Sequence, residues 1–510
     1  MTKVEQLRAE LHDAYSFKGE SITLGCAVLD GQPLTGQLIR LPLRTLNRHG
    51  LIAGATGTGK TKTLQIVAEQ LSRQGVPSLL MDIKGDLSGI AVAAGDNPKL
   101  HERHARIGFP FEAGASPVEF LTLSDEPGAR LRATVTEFGP VLFSRMLDLT
   151  EAQSGIMAIV FKYCDDQGLP LLDLQDIRKT LQYMMEDGRE EVARAYGRIS
   201  TASAGAILRK IVQLEQQGAT RFFGEPSFDV NDLIRIDEQG RGIVSIVRLT
   251  DMQNRPMLFS TFMLELLAEV YHNFPEAGDP EQPRLVIFID EAHLVFEEAS
   301  DALLGQLELI VKLIRSKGVG LIFVTQNPED IPEDVLGQLG LKIQHALRAF
   351  TAKDRKAIKL AAQNFPLSSY YRTEDLLTSL GIGEALITAL NEKGVPTPLV
   401  HTMLRAPMSR MDVLTDAELR ELVEGSRLAS RYNRSVNRES AQEILEAKMH
   451  RAEELNAPRQ EEMKRARRRA SNKRQRTMLD EILSSPVSRQ VSRTVSREIT
   501  RGLLKVLGIR

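Results

Sequence analysis

Apolar positions change their spacing within the first 46 residues. Residues 1–18 place apolar side chains at helical spacing, which predicts an amphipathic helix. Over residues 22–43 the apolar runs are short and are broken at Asp30-Gly31, a dipeptide typical of hairpin turns. The sequence therefore predicts that residues 1–46 form an N-terminal helix and a short β element ahead of the main domain.

Residues 47–124 carry the pattern of a strand, a helix and a second strand. An apolar run over 50–53 leads into a glycine-rich turn, helical spacing follows over 61–74, and another apolar run covers 78–83. A strand–helix–strand unit of this kind requires a parallel sheet. We expect this segment to be the first half of an α/β core.

Helical periodicity fills most of residues 125–235, so an inserted helical subdomain is expected there. Its predicted helices are 141–147, 151–166, 173–185, 190–199 and 203–217. Strand-like runs separated by helices return over residues 236–405 and predict the second half of the core. The predicted strands are 242–249, 284–290, 320–325, 342–349 and a hairpin within 384–403. Residues 406–510 are predicted to be a charged helical tail, and the whole pattern indicates an α/β fold with a mainly parallel sheet between helices.

The composition is that of an ordinary globular chain, which narrows the classes of protein. With 510 residues, 42% of them hydrophobic and 26% charged, the chain can bury a large core, so a disulfide-stapled mini-protein, a fibrous repeat and a wholly disordered chain are excluded. Cys26 and Cys164 lack the spacing of a zinc or redox site. No apolar run reaches about 18 residues, and the N-terminus lacks a signal-peptide pattern. A cytoplasmic protein without an integral membrane segment is expected.

The net charge of -2 conceals an uneven distribution. Residues 430–510 hold 20 Lys and Arg against 10 Asp and Glu, so the rest of the chain is acidic. This excludes a uniformly basic protein that coats DNA, and it leaves a basic tail suited to an anionic partner. Residues 464–476 hold eight cations and no acid, a pattern typical of non-specific phosphate binding and equally of a solvated segment.

The last part of the tail has a different pattern. Residues 487–501 repeat an apolar and a basic position every four residues, as an amphipathic helix does. Docking on the rest of the chain is the expected role. Bundling with the tails of sister chains and contact with an anionic surface are the alternatives.

Residues 54–61 introduce specific chemistry, because their sequence GATGTGKT satisfies the phosphate-binding pattern G-x-x-x-x-G-K-[ST] in full. The glycines allow a tight turn whose backbone N–H groups, together with the following helix N-terminus, hold phosphate. Lys60 is expected to reach the β- and γ-phosphates of ATP, and Thr61 to offer its hydroxyl to Mg²⁺. The residues expected to contact the nucleotide are Gly54, Ala55, Thr56, Gly57, Thr58, Gly59, Lys60, Thr61 and Lys62.

Residues 285–291 form an apolar run that ends in two carboxylates, which is the pattern of a Walker B strand. Asp290 is expected to hold Mg²⁺ through water, and Glu291 to polarise the water that attacks the γ-phosphate. A buried strand whose polar end merely meets solvent is the alternative. His293 completes the string DEAH, and its role stays open between a structural hydrogen bond and catalysis.

A third element follows over residues 315–328. Gln326 stands at the end of a predicted strand, where its amide can sense the γ-phosphate or orient water. Arg315 has the charge and reach of an arginine finger for a neighbouring subunit, although a cation at the end of a helix also complements the helix dipole. Arg348 and Arg355 are competing candidates for the finger.

The second strand of the first unit ends in another polar turn, residues 82–86, with the sequence DIKGD. The carboxylates of Asp82 and Asp86 lie beside the phosphate-binding loop. They either help to place water or metal, or they only form a polar turn, and the sequence favours neither.

With these three elements in place, the chain resembles the HerA/FtsK class of P-loop motor ATPases, and most of all the bacterial HerA-like proteins of the YjgR type. The resemblance spans about residues 20–405. It implies a RecA-like core, a hexameric ring with ATP between subunits, and movement on duplex DNA. By position, Lys60 and Thr61 match the P-loop pair, Asp290 and Glu291 the Walker B pair, Gln326 the glutamine after the fourth core strand, and Arg315 the trans-acting arginine. The N-terminal β region is short for the complete β-barrel of archaeal HerA.

Motifs and resemblance together predict a Mg²⁺-dependent ATPase that works as a homo-oligomeric ring motor, with DNA as the expected track and no sequence specificity. The alternative is an ATPase that remodels protein or gates a scaffold, with the helical insertion as its partner surface. A third reading, nucleotide binding without hydrolysis, requires that Glu291 be misplaced.

Overall fold

The computed structural model describes residues 2–252, 255–296, 301–436, 438–451 and 454. By its internal contacts the chain divides into two compact units, residues 1–441 and 442–510. The sequence-based boundaries after residues 46, 124, 235 and 405 all fall inside the first unit. They mark changes of sequence pattern within it.

The second unit is described at residues 442–451 and 454, which are helical. The basic segment 464–476 and the amphipathic segment 487–501 lie outside the described residues. Their predicted roles in binding and docking stay predictions.

One sheet of twelve strands runs through the first unit, as far as the structure describes it. The strands are β1 (Ser21–Leu29), β2 (Gln32–Pro42), β3 (Gly50–Ala53), β4 (Ser78–Asp82), β5 (Val118–Thr122), β6 (Ala129–Arg130), β7 (Val244–Arg248), β8 (Leu285–Ile289), β9 (Val319–Thr325), β10 (Leu341–Gln344), β11 (Glu384–Thr388) and β12 (Val400–Leu404). Their order is β2-β1-β12-β11-β10-β3-β9-β8-β4-β7-β5-β6. The pairs from β10 to β6 are parallel, and the pairs from β2 to β10 are antiparallel.

The central strands explain why the sheet is parallel. β3, β4, β8 and β9 are buried along their whole length. Their sequences are nearly continuous apolar runs, such as LVIFI in β8, and this composition is typical of parallel strands covered on both faces. The predicted α/β fold with a mainly parallel sheet is confirmed.

The α-helices of residues 2–436 surround this sheet. In chain order they are α1 (Lys3–Tyr15), α2 (Lys60–Arg73), α3 (Pro98–Ile107), α4 (Val135–Met146), α5 (Glu151–Gln167), α6 (Leu174–Met185), α7 (Arg189–Ala195), α8 (Thr201–Gln216), α9 (Pro256–Asn273), α10 (His293–Phe296), α11 (Asp301–Ile314), α12 (Glu333–Leu336), α13 (Ala352–Gln363), α14 (Thr373–Ser379), α15 (Asp416–Glu424) and α16 (Arg427–Tyr432). Helices α4–α8 form the predicted helical insertion. α4 is longer than expected because it continues before a kink at Gly139 and Pro140.

The N-terminal hairpin is not a separate β element, contrary to expectation. β1 pairs antiparallel with β12, with Gly25 opposite Leu404, so the hairpin extends the core sheet. A Cβ atom on Gly25 would lie 1.9 Å from the carbonyl oxygen of Met403. The close approach of the two backbones at this glycine joins the hairpin to the core.

Both edges of the sheet are covered. At one edge, α1 and α3 pack against β2. At the other edge, α16 packs against the two-residue strand β6. Just after α16, the Asn433 side chain accepts a hydrogen bond from the backbone N–H of Arg130 (2.9 Å) and donates one to the carbonyl of Gly128 (3.0 Å).

Candidate active site

Three parallel strands end together at one edge of the sheet. β3 pairs with β9, with Ala53 opposite Thr325, and β8 pairs with β9 on its other side. Because the carboxyl ends of parallel strands meet at the same edge, the loop after β3, Asp290 after β8 and Gln326 after β9 lie along that edge. The structure thus brings together the three sequence motifs that local pattern alone could not relate.

The phosphate-binding loop, residues 54–61, is closed around its lysine. The ammonium of Lys60 donates to the carbonyls of Gly54 at 2.6 Å and Ala55 at 3.3 Å, and the side chain is buried. Burial lowers the pKa of Lys60, and the positive charge of Lys84 adds to this effect. Gly54 has a φ of 152°, and a Cβ there would lie 2.5 Å from the side chain of His345. Only glycine permits this approach.

His345 directly follows β10 and lies against the phosphate-binding loop. Its Nε2 lies 2.9 Å from the Thr63 hydroxyl and its Nδ1 lies 3.0 Å from the carbonyl of Glu384. Burial lowers the pKa of His345 to about 4, so the ring is neutral. The carbonyl can only accept, hence Nδ1 carries the proton and Nε2 accepts from Thr63. Sequence reasoning missed His345, although a histidine that ends an apolar strand was a signal.

Two further backbone hydrogen bonds hold the loop in place. The N–H of Ala55 donates to the carbonyl of Ala346 at 2.8 Å, and the N–H of Gly383 donates to the carbonyl of Thr58 at 3.1 Å. The loop is therefore held by segments that follow β10 and precede β11.

The two carboxylates after β8 are buried, Asp290 at 1% and Glu291 at 6% exposure. Lys84 forms an ion pair with Glu291 and lies 3.9 Å from Oδ2 of Asp290, while Nδ1 of His293 lies 3.2 Å from Oε2 of Glu291. Burial raises the pKa of Asp290 to about 6, against the opposing effect of Lys84. Lys84 was not singled out from the sequence, because its partners are distant in the chain.

The residues at this edge suit a magnesium ion. Oδ2 of Asp290 is buried and has no hydrogen-bond partner among the residues that the structure describes. The Thr61 side chain stands half-buried at the first turn of α2. Carboxylate and hydroxyl oxygens are the ligands that Mg²⁺ takes, and it commonly uses only one or two from the protein. The described residues contain no cluster of three His, Cys, Asp or Glu side chains that could hold a metal ion.

The polar turn after β4 is held together by the side chain of Asp82. Oδ1 of Asp82 accepts from the N–H of Gly85 (2.7 Å) and Asp86 (3.2 Å), and Oδ2 accepts from the N–H of Leu87 (3.2 Å). Burial raises the pKa of Asp82 to about 7, and the charge of Asp86 adds to this. Asp82 therefore caps the loop that presents Lys84. Oδ1 of Asp86, in contrast, is buried and has no hydrogen-bond partner among the described residues, so the alternative that this turn helps to place water or metal stays open for Asp86.

The structure does not bring Arg315 into this site. Arg315 precedes β9, whereas Gln326 follows it, and a seven-residue strand spans roughly 20 Å. Arg315 is therefore exposed at the opposite edge of the sheet. Gln326 after β9 and Arg348 after β10 are exposed at the carboxyl edge, and Arg355 is exposed on α13.

Over most of its length the chain is similar to known helicases. A family model described as Helicase HerA-like C-terminal matches residues 28–510. The chain belongs to the HerA-like helicase family. The HerA-like chain is 24% identical over 372 residues to the DNA double-strand break repair helicase HerA of Saccharolobus solfataricus, covering 70% of this chain and 66% of that protein. It is 21% identical over 397 residues to the HerA of Sulfolobus acidocaldarius, covering 73% of this chain and 68% of that protein.

Solved structures show the same fold. The bacterial conjugative coupling protein TrwB, in an unbound form, matches with a TM-score of 0.51 at 14% identity, covering 80% of this chain and 94% of that chain. TrwB in complex with ADP and Mg²⁺ also gives 0.51 at 14% identity, with 78% and 97% covered. The HerA-like chain thus shares the RecA-like P-loop ATPase fold. Among its described helices, none is both long and apolar enough to cross a membrane.

Proposed function

We propose that this HerA-like protein hydrolyses ATP with Mg²⁺ and uses the energy to move along DNA as a homo-oligomeric ring. The observation that supports it best is the convergence of the P-loop, the buried pair Asp290 and Glu291, and Gln326 at one edge of the sheet. Phosphoryl transfer needs positioned donors, a metal ligand and a group that orients water. This edge supplies a residue for each task.

Separate residues of the chain bind the phosphates, hold the metal and orient the attacking water. Backbone N–H groups of residues 54–61 and the first turn of α2 bind the phosphates, and Lys60 exchanges its carbonyl contacts for phosphate oxygens. Thr61 and Asp290 would hold Mg²⁺, which neutralises charge on the β- and γ-phosphates when bound. Glu291 orients the attacking water, and Gln326 faces the γ-phosphate.

The ring part of the proposal is supported by where the arginines lie. Arg315 is a strand length away from the site of its own chain, so an arginine finger at this position would act in the site of a neighbouring chain. Arg348 and Arg355, exposed at the carboxyl edge, remain the alternatives. An arginine finger of either origin would stabilise the charge that develops on the γ-phosphate.

DNA as the track is supported by a basic surface next to the site, formed by residues 348–359. It combines Phe350, 84% exposed, with five exposed cations: Arg348, Lys353, Arg355, Lys356 and Lys359. Its one acid, Asp354, is engaged with the backbone N–H groups of Phe350 and Thr351. Cations in this number bind phosphate without regard to sequence.

The decisive measurement is the ATPase rate with and without duplex DNA at low salt. We expect stimulation by DNA. We expect Lys353→Glu/Lys356→Glu to abolish the stimulation and to lower the salt slope of DNA binding by about 2, with the basal rate kept. The matched control is Arg189→Glu/Arg198→Glu on the helical insertion, which should leave both unchanged. A rate indifferent to DNA in the native chain would favour the protein-remodelling alternative.

A further inference from the structure

Arg315 lies in a short turn that connects α11 to β9. Residues 315–317 form this finger turn, and Gly318 ends it with a φ of 75°. The side chain of Arg315 is exposed, and within the described part of the chain it forms no ion pair. Its guanidinium is therefore free to bind an anion that another chain presents.

A loop between α9 and β8, residues 274–284, packs against the finger turn. In this bracing loop the N–H of Ala277 donates to the carbonyl of Ser316, and the N–H of Arg284 donates to the carbonyl of Gly318, both at 2.8 Å. A Cβ atom on Gly318 would lie 3.0 Å from Cβ of Ala277. The backbones of the turn and the loop are thus in direct contact, and glycine at 318 permits both this approach and the positive φ.

An ion pair joins the same two segments. Nζ of Lys317 lies 2.9 Å from Oε1 of Glu276 and 5.0 Å from the centroid of the Tyr271 ring. The hydrogen bond from Lys317 lowers the pKa of Glu276, so the carboxylate is charged at neutral pH. The side chain of Glu276 is 64% exposed, and an ion pair with so exposed a partner contributes little to stability. A substitution of Glu276 should therefore leave the chain folded.

The bracing loop is also held on its other side. Arg44, shortly before β3, forms ion pairs with Asp279 at 2.5 Å and with Glu281 at 3.6 Å. The loop leads directly into β8, which is buried between β4 and β9. The loop is thus fixed at several points and can support the finger turn.

α11, the helix that leads into the finger turn, is held at its last turn. Nε2 of His49 lies 2.8 Å from the carbonyl oxygen of Val311, and the N–H of Leu321 donates to Nδ1 of His49 at 3.0 Å. Burial lowers the pKa of His49 to about 4, so the ring is neutral and Nε2 donates to Val311. Val311 is one of the last four residues of α11, whose carbonyls have no partner within the helix. The backbone is therefore fixed on both sides of Arg315.

We propose that Glu276 is a positioning residue for Arg315 in the hydrolysis of ATP bound to a neighbouring chain. By holding Lys317, Glu276 fixes the finger turn to the bracing loop and so sets where the guanidinium of Arg315 meets the neighbour's γ-phosphate. This role rests on the proposed function, because it takes Arg315 as the arginine finger. The position of such a group matters, since a displacement of about 1 Å can lower a rate about 100-fold.

The test places Glu276→Lys in one of two chains that share a site. Arg315→Ala chains keep the P-loop, and Lys60→Ala chains keep the finger, so an equimolar mixture regains ATPase activity only where the first kind faces the second. We expect Glu276→Lys in the Lys60→Ala chain, which supplies the finger, to lower this recovered rate at least about 10-fold. In the Arg315→Ala chain it should change the recovered rate by less than about 2-fold, because that chain has no finger to position.

Two further variants of the finger-supplying chain complete the test. Glu276→Lys/Lys317→Glu exchanges the two charges and should return the recovered rate to at least about half of its original value. Glu190→Lys is the matched control, because Glu190 forms an exposed ion pair with Arg194 on α7 at 3.6 Å. This control should leave the recovered rate unchanged.

The outcomes separate the positioning role from the function on which it rests. An equal loss with Glu276→Lys in either chain would mean that the ion pair is only structural, and the role would be wrong. Full recovery with Glu276→Lys in either chain also overturns the role, while Arg315 stands as the finger. If the mixture without Glu276→Lys recovers nothing, Arg315 is not the finger and the role falls with it. The ATPase rate of the native chain then shows separately whether hydrolysis itself stands.

Discussion

Glu291 combines an unusual backbone with an unusual environment. Its φ of 47° lies in the left-handed region, which costs a non-glycine residue on the order of 1–3 kcal/mol and is found mainly at functional positions. Its carboxylate lies between Lys84 and His293 and is almost fully buried. The backbone conformation and the burial of Glu291 together make it a candidate functional residue.

Glu291→Gln should lower the ATPase rate by at least about 100-fold, because an amide cannot take up the proton of the attacking water. Nucleotide binding should persist, since the P-loop contacts are untouched. Lys60→Ala should lose both binding and hydrolysis, which makes it the matched comparison. Steady-state rates together with nucleotide affinity decide the point, and normal turnover in Glu291→Gln would remove Glu291 from this role.

At this scale the sequence predicted the motif residues and missed their partners. The spacing of Gly54, Lys60 and Thr61 is local, so it could be recognised without a fold. The contacts of Lys84 with Glu291 and of His345 with Thr63 join segments more than 200 residues apart. Such contacts depend on strand order, which local periodicity does not contain.

Among the elements, α9 carries a buried acid. Glu265 is 3% exposed, and within the described part of the chain neither of its carboxylate oxygens has a hydrogen-bond partner. Burial raises the pKa of Glu265 to about 8, and the charges of Glu269 and Glu137 add to this. The native state therefore binds this proton more tightly than the unfolded chain, whose glutamate titrates near pH 4.5.

Stability should consequently fall as the pH rises from about 4.5 through about 8, because the unfolded state releases the proton first. Glu265→Gln removes the pH-dependent contribution of this carboxyl group to the free energy of unfolding. The variant should be more stable than the native chain at pH 9 by on the order of a few kcal/mol, and about equally stable at pH 4. Thermal unfolding of the variant and of the native chain at both pH values measures this difference in stability. The exposed control Glu333→Gln should show no such difference, and an unchanged pH dependence in Glu265→Gln would contradict the assignment.

The junction between β1 and β12 gives a second prediction for the elements. Gly25→Ala should destabilise the protein by about 1–3 kcal/mol or more, because the added Cβ meets the backbone of Met403 and cannot be relieved by a side-chain movement. Gly155→Ala on α5 is the control: nothing lies within 4 Å of its Cβ, and it should be neutral or slightly stabilising. The denaturant midpoint should fall for Gly25→Ala and stay unchanged or rise slightly for Gly155→Ala.

Elements were predictable where their pattern is local. β3 was predicted at its observed bounds, and the helices of the insertion were predicted within a few residues apart from α4. β5 was missed because it is short and carries Glu119 among its apolar residues. That the N-terminal hairpin joins the core sheet could not be read from the sequence, since pairing of β1 with β12 is a contact between distant segments.

For the whole molecule, the placement of Arg315 predicts that a site is completed by an arginine from a neighbouring chain. Arg315→Ala should lose hydrolysis while it keeps its own P-loop intact. In a random equimolar mixture with Lys60→Ala chains, about a quarter of the interfaces regain an intact P-loop facing an intact arginine, so activity should partly return. ATPase rates of the mixture against the separate variants measure this. Absence of recovery would direct the search to Arg348 and Arg355.

The covered edges of the sheet bear on how copies of this chain can meet. β-Augmentation, in which a partner donates a strand, requires free backbone donors and acceptors on an edge strand. Beside β6, Asn433 already occupies the N–H of Arg130 and the carbonyl of Gly128, and β2 lies under α1 and α3. These contacts limit edge-to-edge pairing of the sheet, so we expect any contact between copies of the chain at strand ends and helix surfaces.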